Sequence, residues 1–451
     1  MSQGGGAGPA VLAPPPYRSR ALAVCADFGS TFTKLTVVDL DTGELVATAS
    51  HRTTIESDVI DGYAAAEAAL ANALPGADLG STVLACSSAG GGLRLAVVGY
   101  ERAVTAEAGY RVGLSAGAKV VHVAAGRLDA AALAGLLAAK PDVVLLAGGT
   151  DGGNADVLLD NAAALAAEPE LTGPLVIAGN VDVRDQVDAL LRAAGKHVIA
   201  TANVLPRIGT LDPAPARAAI RDVFIRHVIG GKGLSRGDRF ASLVRAATPD
   251  AVLAGIELLA DGAGSVPGVG DVVVVDVGGA TTDVYSVVTP DAEESQLRRE
   301  VVEESWRGRT VEGDLGVRWN APGILEAAGV ERLVAPDSAE AAALAAAAAR
   351  RATEPGYLPV TAADSVRRGG KDLREVGLVV GSGGVLRHAA AGRAEQVIAT
   401  ALADRAGGWK APEHATVVID RRYVLAAAGL LSFDHPEAAA RLVHYGLSPG
   451  S

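Results

Sequence analysis

The sequence has little cysteine and no long uncharged apolar run, and each shortage excludes a class of protein. Only Cys25 and Cys86 occur in 451 residues, and neither has a partner at CxxC spacing, so a disulfide framework is excluded. The eight histidines lie far apart without HExxH spacing, which gives a zinc site no support. No uncharged apolar run reaches about 18 residues, so we expect no membrane partner.

Excess positive charge is also missing. The formal net charge is -12 and is spread along the chain, and such an acidic surface repels phosphate backbones, so nucleic acid is not an expected partner. Both cysteines lie in apolar, strand-like runs, which is typical of buried thiols in a reducing cytoplasm. Residues 1–20, with three successive prolines, are predicted to form a disordered leader and not a signal peptide.

The sequence does contain a stretch that carries chemistry, Asp271 to Val288, which reads DVVVVDVGGATTDVYSVV. Four successive valines predict a buried strand that ends at Asp276. The small residues that follow let backbone N–H groups approach an anion, and Thr281, Thr282 and Asp283 lead into a second strand. This β-hairpin is either a cradle for phosphate and magnesium or a glycine turn in a core sheet.

A second copy of the pattern near the start of the chain favours the cradle. Asp27, followed by FGSTFTK, stands between the apolar runs Ala21 to Ala26 and Leu35 to Val38. Both copies therefore read as strand, acid, glycine turn, hydroxyls and strand, and they lie about half a chain apart. This spacing predicts a duplicated domain that binds one ligand between its halves.

The region between the two copies alternates between predicted helices and strands from Ala103 onward. That alternation predicts a parallel sheet with crossover helices. Ala147 to Asn154, reading AGGTDGGN, follows a strand of this sheet, where ligands bind in α/β folds. It matches neither a dinucleotide fingerprint nor a P-loop, so a functional loop and a structural turn both remain open.

Three glycine sites in the order DFGSTFTK, DVGGATTD and GSGG resemble those of the actin, sugar-kinase and heat-shock-chaperone ATPase superfamily. The resemblance implies an α/β, two-lobed actin-like fold with duplicated ribonuclease H-like domains. The first lobe, residues 21–234, would be enlarged by an additional α/β region. The second lobe would span residues 235–451.

The same resemblance implies a role for each matched residue in binding ATP or ADP with Mg. Asp27 and Asp276 would hold the hydration shell of the metal ion, and Lys34 would neutralise phosphate charge. Asp283 would orient a threonine or an attacking water, so the candidate catalytic residues are Asp27, Asp276 and Asp283. Phosphate would be bound by Gly29, Ser30, Thr31, Gly278, Gly279, Thr281 and Thr282, and adenosine by Gly381, Ser382, Gly383 and Gly384.

Longer motifs make the resemblance more specific. LLAGGTDGGN, NVLPRIGTLDPAPARAAIRDVF, VDVGGATTDVYSV and EGDLGVRW are similar to those of the methylaspartate (glutamate) mutase accessory family, called MutL or GlmL. This family implies an ATP-binding, ATP-hydrolysing reactivase for an adenosylcobalamin-dependent mutase or aminomutase. Its partners would be the mutase subunits, and a homodimer is compatible with the sequence.

Three other functions use the same superfamily fold. A small-molecule kinase would place an alcohol or acid substrate and an acidic base in the cleft. A scaffold would bind ATP only to fix the lobe geometry. An iron-sulfur dehydratase activator is disfavoured, because two cysteines form no four-cysteine cluster within one chain and only a dimer would share one.

Overall fold

The structure is a computed structural model that describes residues 20–89, 93–229, 233–279, 281–289, 307–312, 324, 334–335, 338–353, 373–403 and 411–447. The predicted leader up to Ser19, the loop Gly90–Gly92, Ala280 and most of EGDLGVRW lie outside these residues. Within the described ranges, no helix is long and apolar enough to cross a membrane.

The first sheet begins with an antiparallel meander and is completed by parallel strands. β1 (Leu22–Phe28), β2 (Phe32–Asp39) and β3 (Leu45–Arg52) form the meander, and β4 (Val83–Ser87) pairs in parallel with β1. A much later strand, β10 (Val244–Ala247), pairs in parallel with β4. The spatial order is β10-β4-β1-β2-β3, and α1 (Val59–Ala73) packs against β2 and β3.

The second sheet repeats this arrangement. Its spatial order is β15-β14-β13-β16-β17, with β13, β14 and β15 antiparallel and β16 and β17 parallel to β13. When the strands of each sheet are numbered by their order in the chain, both sheets have the spatial order 3-2-1-4-5. The predicted duplication of a ribonuclease H-like domain is therefore confirmed. The strands are β13 (Val272–Val277), β14 (Thr282–Val287), β15 (Arg307–Glu312), β16 (Leu378–Ser382) and β17 (Thr416–Ile419).

A third, wholly parallel sheet is inserted between β4 and β10, as the alternating pattern predicted. Its order is β6-β5-β7-β8-β9. β6 is therefore added on one side of β5, and the later strands are added on the other side. The strands are β5 (Leu93–Gly99), β6 (Ala118–Ala125), β7 (Val143–Leu146), β8 (Leu175–Ile177) and β9 (Val198–Ala200). The helices are α2 (Glu107–Ser115), α3 (Ala130–Ala138), α4 (Asp156–Ala167), α5 (Val181–Ala193) and α6 (Ala214–Val223).

Two helices pack between the repeated sheets. α8 (Thr248–Asp261) follows β10, and α12 (Val424–Leu431) follows β17. A Cβ at Gly255 would lie 2.1 Å from Leu425 O, and one at Gly429 would lie 1.7 Å from Ala251 O, so the two glycines allow the backbones to touch. Apolar residues of both repeated sheets join these helices in one buried core.

The other strands and α-helices of the described residues lie between or after these elements. They are α7 (Arg239–Leu243), β11 (Gly262–Ala263), β12 (Val266–Pro267), α9 (Ala339–Thr353), α10 (Gly384–Arg387), α11 (Arg393–Ala403) and α13 (Pro436–Gly446).

One sequence prediction, the end of the first lobe, differs from the structure. The helix α6 continues directly into a π-helical segment, Phe224–Val228, which leads towards β10. The first lobe does not end at residue 234, because β10 belongs to its sheet and strand pairing carries that lobe to Ala247. The insertion therefore lies between the fourth and fifth strands of a complete sheet.

Candidate functional site

The first glycine hairpin joins β1 to β2, and the penultimate residue of β1 is a buried acid, Asp27. Its turn closes through a hydrogen bond from Gly29 N to Phe32 O of 3.1 Å, and a Cβ at Gly29 would lie only 2.7 Å from that oxygen. Thr31 Oγ1 is buried without a hydrogen-bond partner. Because a buried hydroxyl normally finds a partner, this orphan donor fits a turn that receives an oxygen-rich ligand.

Asp27 is bonded to Lys34 on the adjacent strand and to side chains from distant parts of the chain, among them Thr248 and Tyr423. Lys34 Nζ lies 3.2 Å from Oδ2, and Tyr423 OH donates to the same oxygen at 3.2 Å. Thr248 Oγ1, at the start of α8, donates to Oδ1 at 2.6 Å. Lys34 Nζ also lies 3.5 Å from the centre of the Tyr423 ring. The first acid is thus oriented by groups of both halves of the molecule.

The second hairpin joins β13 to β14 with the same construction. Asp276 and Asp283 are paired across the two strands, and Gly278 N donates to Thr281 O at 2.9 Å. Thr281 Oγ1 donates to Asp283 Oδ2 at 2.9 Å, so Asp283 orients a threonine hydroxyl of the turn. The other oxygen of Asp283 accepts two bonds from Arg309, of 2.9 and 2.6 Å.

The third glycine site lies directly against the second hairpin. Ser382 is paired with Asp276 between β16 and β13. Gly383 has a φ of 93°, and a Cβ there would lie 2.1 Å from Val277 O and 2.8 Å from Asp276 Oδ1. Only glycine suits this conformation and this contact, so GSGG is required for the turn from β16 into α10.

The two acids act electrostatically on each other and on a common neighbour. Burial raises the pKa of Asp276 to about 7, with further contributions from the charges of Asp283 and Asp27, while Lys34 and a hydrogen bond from Ser382 oppose the rise. Asp27 and Asp276 both raise the pKa of the buried Tyr423, after burial itself. The two acids therefore act on the same neighbours, as expected for hairpins that share a crevice.

This arrangement fits a hydrated magnesium ion with phosphate oxygens. Asp276 is half-buried, and its carboxyl with a raised pKa ionises readily once a cation lies beside it. Within the described residues, no group of three histidine, cysteine or acidic side chains is close enough to hold a metal ion. Asp27 and Asp276 would hold a hydrated ion without such a group, because magnesium retains several of its water molecules.

Sequence reasoning missed several residues of this site, because no local motif marks them. Thr248, Arg309 and Tyr423 contact the acids only through the fold. A polar pocket of about 130 Å³ lies beside Lys34 and Tyr423. Arg387 and Arg422 add two cations to its wall, and the remaining lining residues are Leu35, Thr36, Thr48, Ala49 and Ser50.

Other residues singled out from the sequence have structural partners. In the AGGTDGGN loop, Asn203 Nδ2 donates to Gly149 O at 3.0 Å and to Asp151 Oδ1 at 2.8 Å, which agrees with a structural turn. Cys25 and Cys86 are both buried in the first sheet. Burial raises the pKa of Cys25 to about 12, so this thiol is not a ready cluster ligand.

The duplicated sheets and their hairpins define a two-lobed protein of the actin-like class. The chain belongs to the MutL protein family, whose sequence pattern matches residues 23–367 and 361–447. Protein MutL of Clostridium tetanomorphum is 37% identical over 459 aligned positions, which cover 92% of this chain and 97% of that protein. The family predicted from the sequence motifs is therefore confirmed.

Solved structures resemble the chain only loosely. Ethanolamine utilization protein EutJ from Carboxydothermus hydrogenoformans is 12% identical with a TM-score of 0.27, over 96% of this chain and 92% of that one. Xylulose kinase from Bifidobacterium adolescentis is 12% identical with a TM-score of 0.32, over 94% and 93%. The fold assignment rests on the strand order of the two repeated sheets.

Proposed function

We propose that the protein binds ATP with Mg in the crevice between its lobes, hydrolyses it, and thereby serves as an accessory reactivase for an adenosylcobalamin-dependent mutase. The observation that carries the proposal is the convergence of two acid-tipped hairpins and the GSGG turn, with Asp27 and Asp276 acting on common neighbours. A cytoplasmic location forms part of the same proposal.

In this proposal the chain's residues bind and orient the nucleotide. Backbone N–H groups of both glycine turns, with the Thr31 hydroxyl, donate to phosphate oxygens. Asp27 and Asp276 hold water molecules of the metal ion, which itself neutralises charge on the phosphates. Asp283 already accepts bonds from Arg309 and Thr281, so its role is to orient the turn, and it is less suited to be the base of a kinase.

The role in the mutase system follows from membership of the MutL family and from the fold. A clamp of two lobes has states that differ in the separation of the lobes, and a ligand that contacts both hairpins favours the closed one. A partner enzyme that prefers one state then responds to the nucleotide. Moving a mostly open clamp to mostly closed requires about 5.5 kcal/mol of differential binding.

The nucleotide site is tested by Asp276→Ala. We expect this variant to lose binding of Mg·ATP in titration calorimetry while its circular dichroism spectrum is unchanged, because it removes one of the two acids of the crevice. Asp271→Ala is the matched control, since Asp271 precedes the same strand at its other end and accepts bonds from Thr289. Equal affinity of Asp276→Ala and the unaltered protein would refute the assignment.

The accessory role is tested by affinity capture. The purified protein, immobilised in ATP or in ADP with Mg, should retain adenosylcobalamin mutase subunits from the host extract in a nucleotide-dependent amount. Asp276→Ala should retain equal amounts under both conditions. Capture of no cobalamin enzyme in either nucleotide would reject the reactivase role, and phosphate transfer to an added metabolite would indicate the kinase.

A further inference from the structure

A buried arginine connects the second hairpin to the inserted sheet. Arg309, on β15, is 4% exposed, and its Nε and Nη2 both donate to Asp283 Oδ1. Its third group, Nη1, donates to Ala118 O at 3.4 Å, and Ala118 is the first residue of β6. One guanidinium therefore bonds to the second lobe and to the insertion at the same time.

The chemistry of this contact requires arginine. The planar guanidinium directs its donors along fixed, separate directions, whereas the ammonium group of lysine is a single point charge. Burying an ion pair is costly unless each of its polar groups is hydrogen-bonded. Here Asp283 accepts a hydrogen bond from Thr281 as well as those from Arg309. The pair thus fixes the geometry of the second turn.

At the same turn the insertion approaches α8, whose first residue bonds to the first hairpin. Gly117, next to Ala118, has a φ of 78°, and a Cβ there would lie 2.9 Å from Asp250 N on α8. Asp250 is buried and paired with Arg221 and, at 3.5 Å, with Arg217, both from α6. Two residues before Asp250, Thr248 donates to Asp27 of the first hairpin.

We propose that Arg309 is a positioning residue that orients Asp283 and Thr281 at the second hairpin and transmits the position of that hairpin to the insertion through the turn at Gly117 and Ala118. The inference rests on the proposed binding of Mg·ATP. Because α8 approaches this turn at Asp250 and bonds to the first hairpin through Thr248, the insertion responds when both hairpins engage one nucleotide. The insertion is then the part of the molecule through which nucleotide binding is communicated.

The experiment compares Arg309→Lys with the matched control Arg307→Lys. Arg307 lies on the same strand and pairs with Asp261 at the surface. Titration calorimetry measures the affinity for Mg·ATP, and hydrogen exchange measures protection of residues 107–125, which contain α2 and β6. In the unaltered protein and in Arg307→Lys, Mg·ATP should slow exchange in this segment by about threefold or more.

Arg309→Lys should bind Mg·ATP about tenfold more weakly and show no slowing of exchange in residues 107–125 at saturating nucleotide. Gly117→Ala provides a second variant that leaves both hairpins intact. It should keep the affinity for Mg·ATP and lose the exchange response, because its Cβ separates the turn from α8. This variant decides the question if Arg309→Lys does not fold.

The outcomes separate the two proposals. If the unaltered protein binds no Mg·ATP, the proposed function fails and the inference fails with it. If it binds Mg·ATP with unchanged exchange in residues 107–125, only the inference is overturned. A full exchange response in Arg309→Lys would also overturn it.

Discussion

At the scale of single residues, the surroundings of Asp276 disfavour the negative charge of its carboxylate. Burial raises the pKa of its carboxyl to about 7, with contributions from the charges of Asp283 and Asp27, and Lys34 opposes them. Near neutral pH a fraction of the molecules therefore carries a proton on Asp276, which a bound cation would displace. Such a group links the stability of the protein to pH.

We predict that the contribution of Asp276 to the stability of the nucleotide-free protein falls as pH rises from about 4 to 7. The pKa of Asp276 is raised from 3.8 to about 7 in the folded state, so between these values the folded protein binds more protons than the unfolded chain. Stability from this group is fully present below pH 3.8 and is lost as pH rises through about 7. The loss is at most about 4 kcal/mol.

The measurement is urea unfolding of the unaltered protein and of Asp276→Asn at several pH values. The amide does not titrate, so the difference in unfolding free energy between the two proteins should shift in favour of Asp276→Asn as pH increases. Asp271→Asn, at the start of the same strand, should follow the unaltered protein. A constant difference across this range would contradict the raised pKa.

At the scale of elements, the hairpins were predictable because all their determinants are local. An acid, a glycine turn and hydroxyls between two apolar runs specify such a hairpin within about twenty residues. The same holds for the alternating helices and strands of the insertion. The GSGG turn was recognisable for the same reason, since Gly383 has a conformation that glycine adopts without strain.

The partners of the acids were not predictable from local patterns. Thr248 and Tyr423 bond to Asp27 across 221 and 396 residues of chain. Arg309 has no motif around it, and its role depends on β15 lying beside β14 and α2. The lobe boundary was misplaced for a similar reason, because β10 joins the first sheet only after the whole insertion has been completed.

At the scale of the whole molecule, the described lobes are connected by a shared apolar core around α8 and α12 and by side-chain contacts near the crevice. α8 and α12 cross at Gly255 and Gly429, where neither helix has a side chain and the two backbones are in contact. Near the crevice, the contacts of Asp27 and Lys34 with Tyr423 join the first sheet to the residue that precedes α12. These features permit rotation of one lobe against the other about the helix crossing.

We therefore predict that Mg·ATP compacts the molecule by bridging the two hairpins. Small-angle X-ray scattering should show a radius of gyration that is smaller in Mg·ATP than without nucleotide, because phosphate and metal contact both lobes at once. Asp276→Ala should show no change, and Asp271→Ala should respond like the unaltered protein. If calorimetry shows that Mg·ATP binds while the scattering profile stays the same, binding does not close the lobes, and the clamp mechanism is refuted.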